Sequence, residues 1–293
     1  DALEAEARIL EVQVKGADGS MQASQTASEG QEALVITDIT PFYGESGGQV
    51  GDTGTMIFPE GEAEVLDTTK TEAEVFLHRV HVRSGTLSTG QAVRLLVDAG
   101  RRKSVMRHHS ATHLLQRALR EVLGDHVHQS GSLVNDARLR FDFTHFTAVS
   151  AEEIEKVEAI VNQFVLEDFP IVTEVLSKEQ ALGRGSMALF TEKYGDEVRV
   201  VTMGDGVSVE LCGGTHCKST GEIGLVKVVS EASVSAGLRR IEAVAGTRSL
   251  EYLRSLAGTV FDAADRLRCA PNEIPERIGS LQGRIREQEN AIK

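Results

Sequence analysis

Cysteine is scarce in this 293-residue chain: only Cys212, Cys217 and Cys269 occur. An odd count argues against a disulfide framework, and Cys212 and Cys217 lie too close in sequence to staple anything large. No run of about 18 apolar residues appears, so no membrane span is expected. The opening Asp1-Ala2-Leu3-Glu4-Ala5-Glu6 lacks the basic start and apolar middle of a signal peptide. Together these absences point to a reducing cytoplasm. Positive charge is also short. Lys and Arg number 31 against 44 Asp and Glu, a net charge of −13. That counts against bulk nucleic-acid binding by phosphate neutralisation. Two local clusters could still meet phosphate, Arg101-Arg102-Lys103 with Arg107, and Arg239-Arg240; solvated surface charge is the plain alternative.

What is present is ordinary globular material, 41 % hydrophobic, in a length that suits two domains and an appendage. Residues 1–97 read as short strands punctuated by Gly and Ser, a small β-barrel. The Ser/Gln/Gly-rich stretch Gly16 to Gly30 reads as a mobile loop. From Asp98 the period becomes helical: Val105, His109, Thr112, Leu115, Leu119 and Leu123 recur at three- and four-residue steps, and Gly124 marks the stop. Ser150-Ala151-Glu152-Glu153 is a capping box opening a second helix. Strands expected around it make 98–246 an α+β domain. In 247–293, Ile274, Ile278, Leu281, Ile285 and Ile292 form an a/d seam, the start of a coiled coil or helical hairpin cut short at Lys293. The alternative is a C-terminal helix packed on its own domain.

His109-Ser110-Ala111-Thr112-His113 puts two imidazoles on one helix face. Cys212-Gly213-Gly214-Thr215-His216 adds a thiolate and a third imidazole on a turn that the glycines allow to be tight. Three His and one Cys suit tetrahedral Zn²⁺. Taken separately, each pair is more often ordinary packing, and spacing alone cannot show that the two pairs meet.

Several blocks resemble the editing domain of alanyl-tRNA synthetases. They are His108 to Leu115, Gln129-Ser130-Gly131-Ser132-Leu133-Val134, Arg140-Phe141-Asp142-Phe143, Leu211 to His216, Thr220 to Gly224, and Gly237 to Ala243. Pro41 to Gly54 in the β-rich part resembles the same family. The blocks keep the family's order over nearly the whole chain. The resemblance implies a β-barrel, an editing fold shared with threonyl-tRNA synthetases, and the start of a helical linker toward a C-terminal dimerisation domain. It implies one zinc ion on His109, His113, Cys212 and His216. It gives Thr112 and Gln129 roles in editing specificity and activity, and sets the Gly47-Gly48 motif facing the site. The implied partner is tRNA(Ala) mischarged with Ser or Gly. Arg107, Arg239 and Arg240 are candidate tRNA contacts. No block of the ATP-dependent class II charging domain is expected here, so the chain should not charge tRNA by itself. The bare start at Asp1 and the unfinished seam favour a piece of a synthetase over a free-standing trans-editing deacylase. A non-enzymatic zinc module that positions tRNA, and an unrelated metallohydrolase of small esters, are the other readings.

A pocket built for alanine's methyl cannot strongly reject serine, which merely adds a hydroxyl, and cannot exclude glycine by size. A second, hydrolytic site is therefore needed. Thr112, between two helical ligands, is expected to recognise the serine hydroxyl. The metal either stays open and activates carbonyl or water, or pins a site built by Thr112, Gln129 and the Gly47-Gly48 N–H groups. Cys212 as a covalent nucleophile is a third possibility, opposed by its commitment as a ligand.

Overall fold

A computed structural model describes residues 2–16, 19–183 and 197–292, and the chain divides into two compact units, Asp1–Gly246 and Thr247–Lys293. The first unit opens with nine strands: β1 (Glu4–Lys15), β2 (Met21–Ser24), β3 (Thr26–Ser28), β4 (Glu32–Thr37), β5 (Gly54–Phe58), β6 (Gly61–Lys70), β7 (Phe76–Ser84), β8 (Thr86–Ser88) and β9 (Ala92–Val97). Six of them pair antiparallel in the order β1-β4-β7-β6-β5-β9, and β9 closes back on β1 to complete a six-stranded barrel. Period-two alternation decides the inside. Ala33 and Val35, Val80 and Val82, and Val93 and Leu95 point inward and are fully or nearly fully buried. The stretch expected as a mobile loop instead carries β2 and β3, with Ala17 and Asp18 outside the described residues. β2 extends the ladder of β1 and β3 pairs with β8, so tertiary pairing overrides the loop-like composition.

Helix α1 (Ala99–Leu123) follows directly. The Asp98 side chain caps it by accepting the Arg101 N–H at 2.9 Å, and Gly124 ends it at φ 112°. Its apolar face, Leu114, Leu115, Ala118 and Leu119, packs with Phe141 and Phe143 in one core. The Phe residues come from a four-stranded sheet, β10 (Gln129–Val134), β11 (Leu139–Thr144), β15 (Val226–Ser235) and β16 (Leu238–Ala245), ordered β10-β11-β16-β15. Helix α2 (Ala151–Leu166), opened by the Ser150–Glu153 capping box, adds Val157, Val161 and Val165 at four-residue steps. A smaller sheet orders β12 (Ile171–Ser177), β13 (Glu197–Met203) and β14 (Ser208–Leu211), with the short helix α3 (Lys178–Gly183) after β12.

A buried ion pair joins barrel to helix. Arg102 of α1 binds Asp52 with Nε and Nη2, and both side chains are nearly sealed from solvent. Asp52 also accepts the Tyr43 N–H, at 2.6 Å, and Arg102 donates to the Pro41 carbonyl at 2.9 Å. The 41–54 loop is thereby held against the N-terminal half of α1.

The second unit holds α4 (Thr247–Leu267), a 3₁₀ turn at Pro271–Glu273 and α5 (Ile274–Ile292). The expected seam lies on α5, but Ile278, Leu281, Ile285 and Ile292 are exposed. Among the described residues the heptad pattern forms a helix and no coiled coil.

Candidate metal centre and its cleft

One turn of α1 separates His109 from His113, and their rings stack with centroids 5.4 Å apart and planes 8° from parallel. Cys212 and His216 come from the turn after β14. Arg199 of β13 fixes that turn, donating to the Cys212 carbonyl at 2.8 Å and the Gly214 carbonyl at 2.6 Å. Gly214 lies so close to the His109 ring and the Gln49 amide that any Cβ there would collide with both. The result brings all four expected ligand residues together, with one ligand atom from each within 4.8 Å of the others. Cys212 Sγ lies 3.3 Å from His109 Nε2 and 3.2 Å from His216 Nε2.

Three observations fit a cation at the centre. The donors are nitrogen and sulfur in a tetrahedral number. Bonds of about 2.0–2.3 Å would place such donors only a few ångströms apart. His113 Nε2 is buried and has no hydrogen-bond partner, a lone polar atom aimed at the other ligands. This cluster could hold a metal ion.

Each imidazole is also held from behind. His109 Nδ1 lies 2.6 Å from Gln49 Oε1, His113 Nδ1 2.7 Å from Glu210 Oε2, and His216 Nδ1 3.2 Å from Ser110 Oγ. Such outer contacts fix the tautomer, so that each Nε2 faces the centre. Gln49 does more, donating to Thr215 Oγ1 at 2.9 Å and accepting the Thr215 N–H at 2.9 Å. Glu210 Oε1 accepts from Ser208 Oγ at 2.9 Å. Sequence reasoning missed Gln49, Ser110, Glu210 and Arg199 as shapers of the site. The available signals were slight: Gln49 sits inside the Pro41–Gly54 block and Glu210 two residues before Cys212.

Burial alone would raise the Cys212 thiol; the imidazoles of His109 and His216 outweigh it and hold the thiol well below its ordinary range. Burial would lower His113, but the Glu210 carboxylate and the Cys212 sulfur win and push it up to about 10. For His216 burial dominates and the ring falls to about 3, so it is a neutral donor near pH 7. In the metal-free state the cluster therefore holds a proton on His113 near pH 7.

His109, His113 and Cys212 line a cleft of about 770 Å³, while His216 completes the cluster behind them. Thr112, Gln116, Gln129 and Ser132 line one wall, and Tyr43 and Gly47 come from the barrel side. Thr112 Oγ1 donates to the His108 carbonyl at 2.8 Å, leaving its lone pairs as acceptors. Gly47 and Gly48 have φ of 58° and 86°, the central residues of a turn closed by Ser46 and Gln49. Two successive positive φ values favour glycine at both places, and a Cβ on Gly48 would also strike the Ser132 carbonyl. Burial pushes the Tyr43 phenol up, so it stays protonated and donates to the Ser46 carbonyl at 3.0 Å.

The three candidate tRNA-contacting arginines do not line this cleft. Arg240 grips Asp142 through Nε and Nη2 at 2.7 and 2.8 Å, and Arg239 grips Glu231 with two contacts of 2.6 Å. Arg107 Nε donates to the Glu222 carbonyl at 2.9 Å.

Residues 198–242 match the family model described as the threonyl and alanyl tRNA synthetase second additional domain, and residues 1–101 match tRNA synthetases class II (A). Fold, cluster and matches together define a synthetase-associated α+β unit with a preceding barrel. The relatives narrow the class. Over 87 % of its length the chain is 51 % identical to an alanine–tRNA ligase of Desulfitobacterium hafniense, and over 92 % it is 49 % identical to that of Thermotoga maritima. It is 45 % identical over 98 % of its length to that of Burkholderia thailandensis. The chain belongs to the alanyl-tRNA synthetase family, and it spans 29 %, 31 % and 32 % of these three relatives. The match to the class II model covers the barrel and the first residues of α1. No described helix is long and apolar enough to cross a membrane.

Proposed function

We propose that the cleft hydrolyses the ester joining serine or glycine to the 3′ end of alanine tRNA and spares alanine. One observation carries the reading: Thr112, Gln129 and Gly47 line a single cleft together with His109, His113 and Cys212 of the four-residue cluster. Zn²⁺ is the ion this donor set suits, held by three imidazole Nε2 atoms and Cys212 Sγ; when bound it supplies a Lewis acid. Four protein donors, three of them imidazoles braced from behind, favour the ion as a pin, because a closed tetrahedral set leaves no open position. On this reading Cys212 is a ligand and not a nucleophile. The Gly47 and Gly48 N–H groups, which donate to no acceptor among the described residues, supply hydrogen bonds to a developing oxyanion. Gln129 positions the attacking water.

Thr112 is suited to read serine. Its own proton is engaged by the His108 carbonyl, so it can only accept, and a serine hydroxyl can donate where alanine's methyl cannot. Glu45 and Glu72 at the mouth favour the α-ammonium of an aminoacyl ester. Phosphate contact by Arg107, Arg239 and Arg240 is not part of the proposal, since each is already engaged. A longer synthetase would attach alanine with ATP; this stretch would serve the hydrolytic step on tRNA(Ala) in the cytoplasm.

The test is deacylation by the metal-loaded chain of alanine tRNA carrying Ser, Gly or Ala. Hydrolysis of the first two with the third intact is expected. Binding of all three without hydrolysis would make the chain a positioning module, and hydrolysis of free serine esters at the same rate would remove the tRNA from the reading.

A further inference from the structure

We infer that His126, His145 and Phe146 form a stacking platform for an unpaired nucleobase of RNA. His126 lies in the loop between α1 and β10, and His145–Phe146 follow β11. The His126 and His145 rings lie edge to edge and nearly coplanar, with centroids 5.1 Å apart and planes 22° from parallel. Phe146 lies 6.3 Å from His126, again at 22°. Isolated exposed apolar side chains are ordinary on protein surfaces. Three near-parallel rings, two of them fixed by hydrogen bonds, are a different matter. His126 Nε2 meets His145 Nδ1 at 2.8 Å, and Thr147 Oγ1 meets His145 Nε2 at 3.1 Å, so both outer contacts of the His145 ring are taken. Thr144 Oγ1 donates to the His126 carbonyl and accepts the His128 N–H, tying the loop to the strand end. Phe146 is nevertheless 85 % exposed. The outer face of the Phe146 ring is left open to solvent.

Its chemistry fits a base better than a protein. A few rings offer far less than the roughly 1,000 Å² that a stable protein interface needs. Base–aromatic stacking needs only one ring face and tolerates any base. It also needs no phosphate contact, which suits a chain of net charge −13 whose Arg239 and Arg240 are bound by carboxylates. Position adds the third argument. Gln129, which lines the cleft, pairs across the ladder with Phe143. Phe146 is three residues further on, about 10 Å at the rise of a strand. A single strand whose 3′ end enters the cleft can run along this edge and rest a base on the rings. That last identification rests on the function proposed above; the platform itself does not.

The chain contains no tryptophan, so Phe146→Trp installs a single reporter. Titration with a six-nucleotide single-stranded RNA carrying no ester should quench its fluorescence. Phe146→Ala, and equally Phe146→Leu, should weaken binding of that RNA about 5- to 150-fold. The slope of log affinity against log salt should stay that of the wild type, because no phosphate contact is removed. Affinity unchanged in Phe146→Ala overturns the platform. So does sedimentation showing a wild-type dimer that Phe146→Ala dissolves, since the face would then join two copies of this chain. The RNA has no bond to cleave, so these outcomes stand whether or not seryl-tRNA is hydrolysed. Absent deacylation with intact stacking would strike only the proposed function.

Discussion

Replacing Glu210 by glutamine or alanine should loosen the metal without touching a ligand. Glu210 is 1 % exposed, and its carboxylate meets His113 Nδ1 at 2.7 Å. Glutamine keeps an acceptor and loses the charge. A hydrogen bond to a charged group contributes about 1.5–3 kcal/mol against about 0.5–1.5 for a neutral one, a difference near 1 kcal/mol. About five- to tenfold weaker binding should follow for Glu210→Gln. Alanine also strands the buried Nδ1–H, and the loss should approach the upper end of about 10–100-fold seen for such outer partners. One effect opposes this. Glu210, together with the Cys212 sulfur, also raises His113 to about 10, so its removal weakens the competing proton. A divalent ion at the same nitrogen feels the carboxylate about twice as strongly as a proton does, so the net change remains a loss. The sign of the pH effect follows. A raised His113 holds its proton below about pH 10, so wild-type affinity should climb with pH from 7 toward 10, and the climb should flatten in Glu210→Gln. Chelator competition for Zn²⁺ across pH 7–9, on variants shown to be folded by circular dichroism, measures both. Wild-type affinity in Glu210→Ala, or a flat wild-type pH profile, would refute the role given to this carboxylate.

Other outcomes follow from the same geometry. Thr112→Val removes the hydroxyl placed to accept from a serine side chain and should lower Ser over Ala deacylation about tenfold or more, read from single-turnover rates; an unchanged ratio removes Thr112 from recognition. Arg102→Ala strands the buried Asp52 and should cost about 3–5 kcal/mol, read as a lower urea midpoint; a shift below about 1 kcal/mol would show that the loop is held otherwise. His78 is fully buried between the Val35 carbonyl and Thr40 Oγ1, and burial lowers its pKa. The unfolded chain then takes up the proton first, so stability should fall as pH drops below about 6.5. His78→Gln should blunt the difference in unfolding free energy between pH 7.5 and pH 5.5, and an equal difference in both proteins would assign it elsewhere.

Much of this was legible in the residues because it is local. His109 and His113 are one helical turn apart, Ser150 opens a capping box, and alternation marks the barrel strands. What was not legible depends on register and distant pairing. Arg239 and Arg240 look like a basic patch in sequence, yet β16 sets Arg240 opposite Asp142, and Arg239 reaches Glu231 on the neighbouring strand. Gln49 stands 60 residues before His109, and only the closed barrel brings its amide to the imidazole. The Gly16–Gly30 stretch has loop composition but finds strand partners in β1 and β8. The α5 seam shows the converse: its period is strong, while nothing within the described residues covers it.

The Gln49 amide has a consequence for modularity. It belongs to the barrel side by sequence, yet it grips His109 and Thr215 on the other side. A cut between residues 97 and 98 would leave all four ligands in one fragment and the brace for one of them in the other. Neither fragment would inherit a finished centre, and grafting residues 98–246 alone onto a foreign carrier would transplant the ligands without the lock. The braced centre is complete only where the barrel and the α+β half are joined.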